Sequence, residues 1–268
     1  MPATISGRDP LFDVSEQVVL VSGGSRGIGR AIAAGFAERG AHVVVTGRVA
    51  DSLQATCDEI SQLAAYRVEP IVGDVANFGD NERVVETVWQ QHGRIDTLVN
   101  VAGVNRRKPA ETVTEDDFDF ILDINLRGAF FLSQQVGRKM LQQGSGSQIN
   151  VASLNSDRPL RHVLPYAISK AAMAQMTRAL ALEWGDRGVR VNGLAPGFIL
   201  TDLTRKLWSD ETMQSWGTAN TPQRRLGVPA DMVGTAIFLA APAAAFMTGQ
   251  ILYVDGGFTA GWSWPIPG

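Results

Sequence analysis

The sequence predicts an α/β fold, a doubly wound parallel sheet of seven strands with helices on both faces, in one domain. Two observations predict it. Short apolar runs alternate with helical stretches along nearly the whole chain, the rhythm of βαβ units. The runs are apolar at every position rather than at every second one, as expected of strands covered on both sides.

The elements follow in order. Residues 1–16 are polar and punctuated by Pro and Gly, and read as an N-terminal arm ahead of a domain spanning 17–268. Strand runs are expected at 18–21, 41–46, 66–72, 97–100, 148–153, 190–195 and 251–254. Helices are expected after the glycine cluster up to Arg39, then at 52–64 and 77–92, the last carrying Val84, Val85 and Val88 on one face. Thr114-Glu115-Asp116-Asp117 supplies a cap and an acidic first turn for a long helix, which suits the positive end of the helix dipole. Pro165 opens a helix running to about Asp186, since proline fits a first helical turn. Residues 198–228 break the rhythm with a long, polar, Trp-bearing stretch. Irregular segments of that length in compact domains are usually functional lids.

Composition removes several classes of function. The 268 residues carry a net charge of −3 and a pI near 5.7, so no bulk basic field serves nucleic acid or an anionic membrane. One cysteine, Cys57, excludes an intrachain disulfide framework and is expected as a small buried side chain. With that one cysteine and three scattered histidines there is no metal-ligand spacing, so no metal is expected. The longest apolar run, residues 236–247, contains Pro242 and falls short of the ~20 residues a span needs. The first residues have no signal-peptide core, and a cytoplasmic location is expected. No linker or internal repeat divides the chain, hence one domain despite its length.

Ser22-Gly23-Gly24-Ser25-Arg26-Gly27-Ile28-Gly29 lies between the first strand and the first helix. Glycines there let the backbone turn tightly and approach a pyrophosphate, while the helix N-terminus offers free N–H groups to the anion. In this strand–loop–helix context a dinucleotide site outweighs a plain tight turn. The spacing G-x-x-x-G-x-G resembles the short-chain dehydrogenase/reductase family, a group of Rossmann-fold enzymes, and the resemblance extends from Val18 to Phe258.

The end of the second strand bears on the choice of nicotinamide cofactor. An NAD site wants an acid there for the ribose hydroxyls; an NADP site drops the acid and supplies cations for the 2′-phosphate. Here the strand ends Thr46-Gly47-Arg48, and Arg26 sits within the glycine loop. Two guanidinium groups can clamp a phosphate through charge-assisted bonds, so NADP(H) is the expected cofactor; the competing view makes Arg48 a solvated loop charge. The resemblance further implies that Asp74, with Val75 beside it, bonds the adenine. It implies that Asn100, Ala102 and Gly103 belong to the family's N-N-A-G motif, from which Val101 departs. It also puts Pro196, Gly197, Ile199 and Thr201 against the nicotinamide.

Tyr166 and Lys170, four residues apart, project from one helix face. With Ser153 thirteen residues before Tyr166, and Asn125 in the long helix, they match the family's Asn, Ser, Tyr-x-x-x-Lys tetrad in order and spacing. A free phenol titrates near ~10, too high for a base at neutral pH. A nearby ammonium and an oxidised nicotinamide should lower it. Lys170 would supply the ammonium and, by resemblance, hold the nicotinamide ribose. Ser153 would stabilise charge developing on the substrate oxygen. Asn125, by resemblance, holds a water in a proton relay. The implied activity interconverts a secondary alcohol and a ketone by hydride transfer.

Cations flank this set. Asn105-Arg106-Arg107-Lys108-Pro109 follows the fourth strand, and Arg158, Arg161 and His162 stand between Ser153 and Tyr166. Arg106, Arg107 and Arg161, with Ser153 and Tyr166, are the expected substrate contacts, and an anionic substrate gripped by an Arg fork is expected. Solvated loop charge is the plainer alternative for any one of them. The R-R-x-P stretch resembles gluconate 5-dehydrogenases and the related deoxygluconate dehydrogenases, which implies a sugar acid or polyol. The nearest rivals are a 3-oxoacyl-(acyl-carrier-protein) reductase and a broad ketone reductase. Leu182 stands where carrier-protein reductases often place a basic residue. A rival of another class is a catalytically silent NADP(H) sensor, a group that usually lacks the Tyr or the Lys; both are present here. By resemblance the chain forms a homotetramer or homodimer. The aromatic tail with Trp262 and Trp264 is expected on a neighbouring subunit or over its own core.

Overall fold

The computed structural model describes residues 9–261; Trp262 and Trp264 of the tail lie outside them. The described chain forms β1 (Val18–Ser22), α1 (Gly27–Ala37), β2 (His42–Gly47), α2 (Ala50–Ser61), β3 (Glu69–Val72), α3 (Phe78–His92), β4 (Thr97–Asn100), α4 (Glu115–Leu122) and α5 (Ala129–Gln143). It continues with β5 (Gly146–Val151), α6 (Leu164–Trp184), β6 (Val189–Pro196), α7 (Arg205–Trp208), α8 (Glu211–Asn220), α9 (Val233–Ala240) and β7 (Ile251–Val254). The seven strands make one parallel sheet in the order β3-β2-β1-β4-β5-β6-β7. This is the doubly wound Rossmann arrangement expected. The strand order reverses direction between β1 and β4, so the crevice that binds ligands in such sheets opens at their C-terminal ends.

Both faces of the sheet are covered, and the strands show why they are apolar throughout. Val19 and Val21 of β1 join one core with Ile32 and Phe36 of α1 and Leu53 and Cys57 of α2. Val18 and Leu20 point the other way, into a core with Val84, Val85 and Val88 of α3, Leu132 of α5 and Leu180 of α6. Alternate residues of one strand therefore serve opposite layers. Cys57 is fully buried, and burial pushes its thiol up to about 11.

Three segments depart from the sequence reading. The strand expected at 66–72 pairs only from Glu69 on, along β2. The long helix capped by Thr114 is interrupted by a π turn at Asp123–Gly128 between α4 and α5. Its start is as expected: Thr114 Oγ1 accepts from Asp117 N at 3.2 Å, and the Asp117 carboxylate accepts from Thr114 N at 3.2 Å. The described part of the N-terminal arm is not separate from the domain expected to begin at residue 17 but is held against it. Leu11 O accepts from Ala243 N, Gly40 O accepts from Glu16 N, and Val14 is buried in the first core.

Candidate active site

The first wall of the site is made of backbone. Gly23 N and Gly24 N donate to Thr46 O at the end of β2, and Ser22 O accepts from Val101 N and Ala102 N beyond β4. The turn this requires holds Gly23 at φ +80°, where a Cβ would stand 2.6 Å from Ala102 Cα. At Gly29 a Cβ would stand 2.3 Å from Gly23 O. The first turn of α1 has no acidic side chain and Arg26 makes no side-chain cap, so the helix N-terminus faces the groove with its N–H groups open to an anion.

The groove is lined by Ser25, Arg26, Gly27, Ile28 and Gly29 on one side and Gly47, Arg48, Asp74 and Val75 on the other. Gly23, Ala102, Gly103 and Thr201 complete it. Arg48 and Arg26 both line it, and Arg48 also stands 3.9 Å from the Asp74 carboxylate. These residues fit a dinucleotide with a charged ribose substituent: an open helix terminus, a glycine cradle and two cations where an acid is absent.

Four other expected cofactor contacts stand elsewhere. Asn100 is buried and donates to Ser133 Oγ and Asn150 Oδ1, so it ties β4 to β5 and α5 instead of lining the groove. Pro196 is buried at the end of β6. Gly197 and Ile199 line the adjoining cavity.

That cavity, of about 610 Å³, contains the chemistry. Ser153 lies two residues past the end of β5 and caps a 3₁₀ turn, Leu154–Ser156. Tyr166 and Lys170 stand one turn apart on α6, with Tyr166 half-buried and Lys170 buried. Ser153 lines the same cavity as Tyr166, and its hydroxyl acts to lower the pKa of the phenol. Ser153 Oγ also accepts from Asn155 N at 3.1 Å and Asn155 Nδ2 at 3.4 Å, and Asn155 Oδ1 accepts from Leu160 N at 3.0 Å. Asn155 therefore orients the serine. Sequence reading missed it, although a Ser-x-Asn triplet after a strand is a side-chain–backbone turn signal.

Lys170 Nζ donates to Val151 O at 2.6 Å and lies 5.8 Å from the Tyr166 ring centre. Burial pushes its pKa down to about 8. Burial also raises the Tyr166 phenol, and Ser153 and then the Arg107 charge offset this only in part. Arg107 is thus a second cation near the phenol, beside the Lys170 ammonium that the sequence reading looked to. Asn125 sits in the π turn, fully buried, with Oδ1 accepting from Val104 N and Nδ2 donating to Val104 O and Ser169 Oγ. Both amide hydrogens are engaged, so this side chain ties the long helix to the β4 loop and α6. At Gly103, an added Cβ would come within 3.5 Å of Asn125 Oδ1 and 3.7 Å of Lys170 Nζ, so the tetrad reaches the edge of the groove.

The expected substrate arginines separate. Arg107 and Arg161 line the cavity, together with Asn105 and His162. Arg106 does not. Its guanidinium bonds Asp116 at 2.6 Å and Asp117 at 3.0 Å and stacks 4.0 Å over Phe120. Lys108 also pairs with Asp117. That pairing, followed by the Thr114 cap and Arg106, holds the Asp117 carboxyl well below the usual carboxylate range. Arg106 and Lys108 therefore anchor the loop that carries Arg107. Lys108 N donates to His162 O at 2.9 Å, pinning this loop to the one after β5. His162 adopts φ +65° there, a conformation uncommon for a residue with a side chain.

The last wall is the segment read as a lid at 198–228. It leaves and returns at one point, where Ile199 bridges Gly227 and Leu200 N donates to Gly227 O. Between these ends it folds into α7 and α8. Phe198, Trp208 and Leu226 bury themselves with Leu154 in a third small core, apart from the two beside the sheet. Leu207, Trp208, Met213 and Trp216 face the cavity.

A dinucleotide groove that meets a Ser–Tyr–Lys set at the C-terminal edge of a parallel sheet is the layout of an oxidoreductase. Residues 23–259 match the family model described as enoyl-(acyl carrier protein) reductase. The gluconate 5-dehydrogenase of Gluconobacter oxydans is 37% identical over 93% of this chain and 97% of its own length. Among solved structures, a candidate NAD(P)-dependent gluconate 5-dehydrogenase from Beutenbergia cavernae, with NADP at low occupancy, superimposes at a TM-score of 0.90. It is 42% identical, covering 94% of this chain and all of its own. A gluconate 5-dehydrogenase from Burkholderia cenocepacia in complex with NADP and tartrate gives a TM-score of 0.90 at 34% identity, covering 94% of this chain and 98% of its own. The chain belongs to the short-chain dehydrogenase/reductase family.

Proposed function

We propose that the protein interconverts a secondary alcohol and a ketone on a small hydroxy acid of the sugar-acid kind, with NADP(H) as cofactor. The observation that carries this reading is that Ser153 and Tyr166 line one cavity with Arg107 and Arg161, beside a glycine-lined groove whose edge at Gly103 reaches Lys170. The cofactor, when bound, supplies or accepts the hydride. Arg48 and Arg26 favour a 2′-phosphate in the groove, in line with NADP in the two related structures.

In oxidation, Tyr166 takes the hydroxyl proton as the carbinol hydrogen leaves as hydride. In reduction, the phenol returns that proton to the ketone oxygen, and Ser153 donates to the same oxygen while charge builds on it. Burial favours the neutral phenol, which suits the acid role at neutral pH. Lys170 stands beneath with its ammonium held on Val151 O, and Asn155 and Asn125 act as positioning residues. Arg107 and Arg161 take the carboxylate. The relatives named for gluconate support the substrate class. Leu182, exposed on α6, leaves no basic contact at the position where a carrier protein would be gripped.

The test is NADP⁺ reduction with a panel of aldonates, neutral polyols and simple secondary alcohols. Turnover of aldonates is expected, with Tyr166→Phe slower by ~10²–10⁴-fold while NADPH binding persists. Turnover of the neutral compounds alone would remove the sugar-acid reading. Unchanged turnover in Tyr166→Phe would remove the assignment of the base. Reduction of 3-oxoacyl thioesters without aldonate turnover would favour the carrier-protein reading.

A further inference from the structure

The cavity around Ser153 and Tyr166 has two chemically different walls. The loops after β4 and β5 contribute Asn105, Arg107, Arg161 and His162, with Leu160 and Val163 among them. The segment after β6 contributes Leu207, Trp208, Met213 and Trp216, with Thr204 and Thr212 as its polar members. Because β4, β5 and β6 are neighbours in that order, the reactive serine, carried just past β5, stands between the polar side and the apolar side. The apolar wall is not a thin veneer: Trp208 is 5% exposed and packs edge-on against Phe198 at 5.3 Å, and Phe198 meets Trp216 at 5.6 Å. It is an aromatic surface with its own core behind it.

An aldonate satisfies one wall only. Every carbon beyond its carboxyl bears a hydroxyl, and laying those hydroxyls along Trp216, Met213 and Leu207 would strip them of water with only Thr204 and Thr212 nearby as side-chain partners. The cavity of about 610 Å³ lies within the ~300–1,000 Å³ that accommodates drug-sized ligands, and its part beside Gly197 and Ile199 is where the nicotinamide would lie. We infer that the preferred substrate is amphipathic: a hydroxy or keto acid whose carboxylate meets Arg107 and Arg161 and whose far side is an alkyl or aryl group laid on the Trp216–Met213 wall. This rests on the alcohol–ketone reading above, keeps its carboxylate, and ranks an apolar chain ahead of the polyhydroxy chain of a sugar acid.

The test compares NADPH oxidation by the full chain on 4-oxopentanoate, 4-oxohexanoate and 4-oxooctanoate, with 5-ketogluconate alongside. These oxo acids share the ketone and the carboxylate and differ only in the alkyl group. kcat/KM should rise at least tenfold from the methyl to the butyl compound and exceed that of 5-ketogluconate, and Trp216→Ser should flatten the series. A flat series in the wild type, or 5-ketogluconate preferred over all three, overturns the inference while leaving the redox reading in place. Binding is read separately by calorimetry with octanoate, 1-octanol and gluconate. Octanoate tighter than both by tenfold or more supports the two-walled site even if none of the oxo acids is turned over, a result that would count against the redox reading alone. Gluconate as tight as octanoate, or 1-octanol as tight as octanoate, overturns the inference.

Discussion

The cofactor groove and the substrate cavity lie side by side at one edge of the sheet, yet they are built from different material. The groove is mostly backbone: glycines held at positive φ or packed against neighbouring main chain, and the bare N-terminus of α1. The cavity is made of side chains carried by three separate connections, after β4, β5 and β6. Backbone geometry tolerates few sequences, whereas side-chain walls can be re-lined while the frame stays. The first region therefore constrains what the enzyme uses, and the second decides what it acts on.

Lys170, at the seam between the two, gives the largest contrast. Lys170→Met should abolish turnover yet relieve the cost of a buried cation. The folded pKa is about 8, below the unfolded value near ~10.4. Between those values the unfolded chain binds more protons, so wild-type stability rises with pH across that window. The rise should amount to roughly 3 kcal/mol and be missing in Lys170→Met. Denaturant titrations from pH 7 to 10.5 check it; equal slopes for the two proteins would mean that the ammonium is solvated.

Gly47→Asp asks whether the groove selects its cofactor by the missing acid. A Cβ there would stand 3.4 Å from Ser25 Oγ, a contact that a small shift accommodates. The carboxylate should turn preference from NADP(H) toward NAD(H) by ~10-fold or more, by accepting from the ribose hydroxyls and repelling a phosphate. Dissociation constants for the two cofactors measure the ratio, and Arg48→Ala should weaken NADP(H) alone.

The neighbouring arginines sharpen the cavity side. Arg107→Ala should raise KM for an anionic substrate by about tenfold, the loss of one charge-assisted hydrogen bond, and alter the pH profile of turnover through Tyr166. Arg106→Ala should lower the melting temperature and change the profile less than Arg107→Ala does, because Lys108 still holds the loop on Asp117. An equal change in both would make Arg106 part of the site. The smallest effect concerns Asp117. Its carboxyl titrates lower in the folded chain than in the unfolded one, so its stabilisation is present above ~pH 4 and fades below it. Asp117→Asn should remove that acid limb from a stability–pH curve.

The same contrast explains what was legible beforehand. The seven strands and the glycine loop stood out because period and spacing are local properties of sequence. Ser153, Tyr166 and Lys170, and Asp74 with Val75, stood out through their resemblance to family motifs, and the structure lines the cavity with Ser153 and Tyr166 and the groove with Asp74 and Val75. Arg106 and Arg107 were indistinguishable: adjacent residues on an irregular loop point different ways for reasons that lie in Asp116, Asp117 and Phe120, ten and more residues away. Asn100 matched its motif but turned into the interior, where Ser133 and Asn150 supplied polar partners no linear pattern announces. The structured lid was legible as an interruption, not as two helices, because α7 and α8 gain their stability from the small core of Phe198, Trp208 and Leu226.

The π turn at Asp123–Gly128 works as an angular setting. Such a turn contains one residue more than α-helix would use, and each helical residue advances about 100°. Removing a single residue from 123–128 would let α4 run straight into α5 and swing it round by that angle. Asp117 would swing with it, taking away the anchor of Arg106 and Lys108 and so the aim of Arg107. Chain length in one buried turn thus sets the bearing of a charge on the far side of the cavity, and there a one-residue insertion or deletion is a steering change before it is a packing defect.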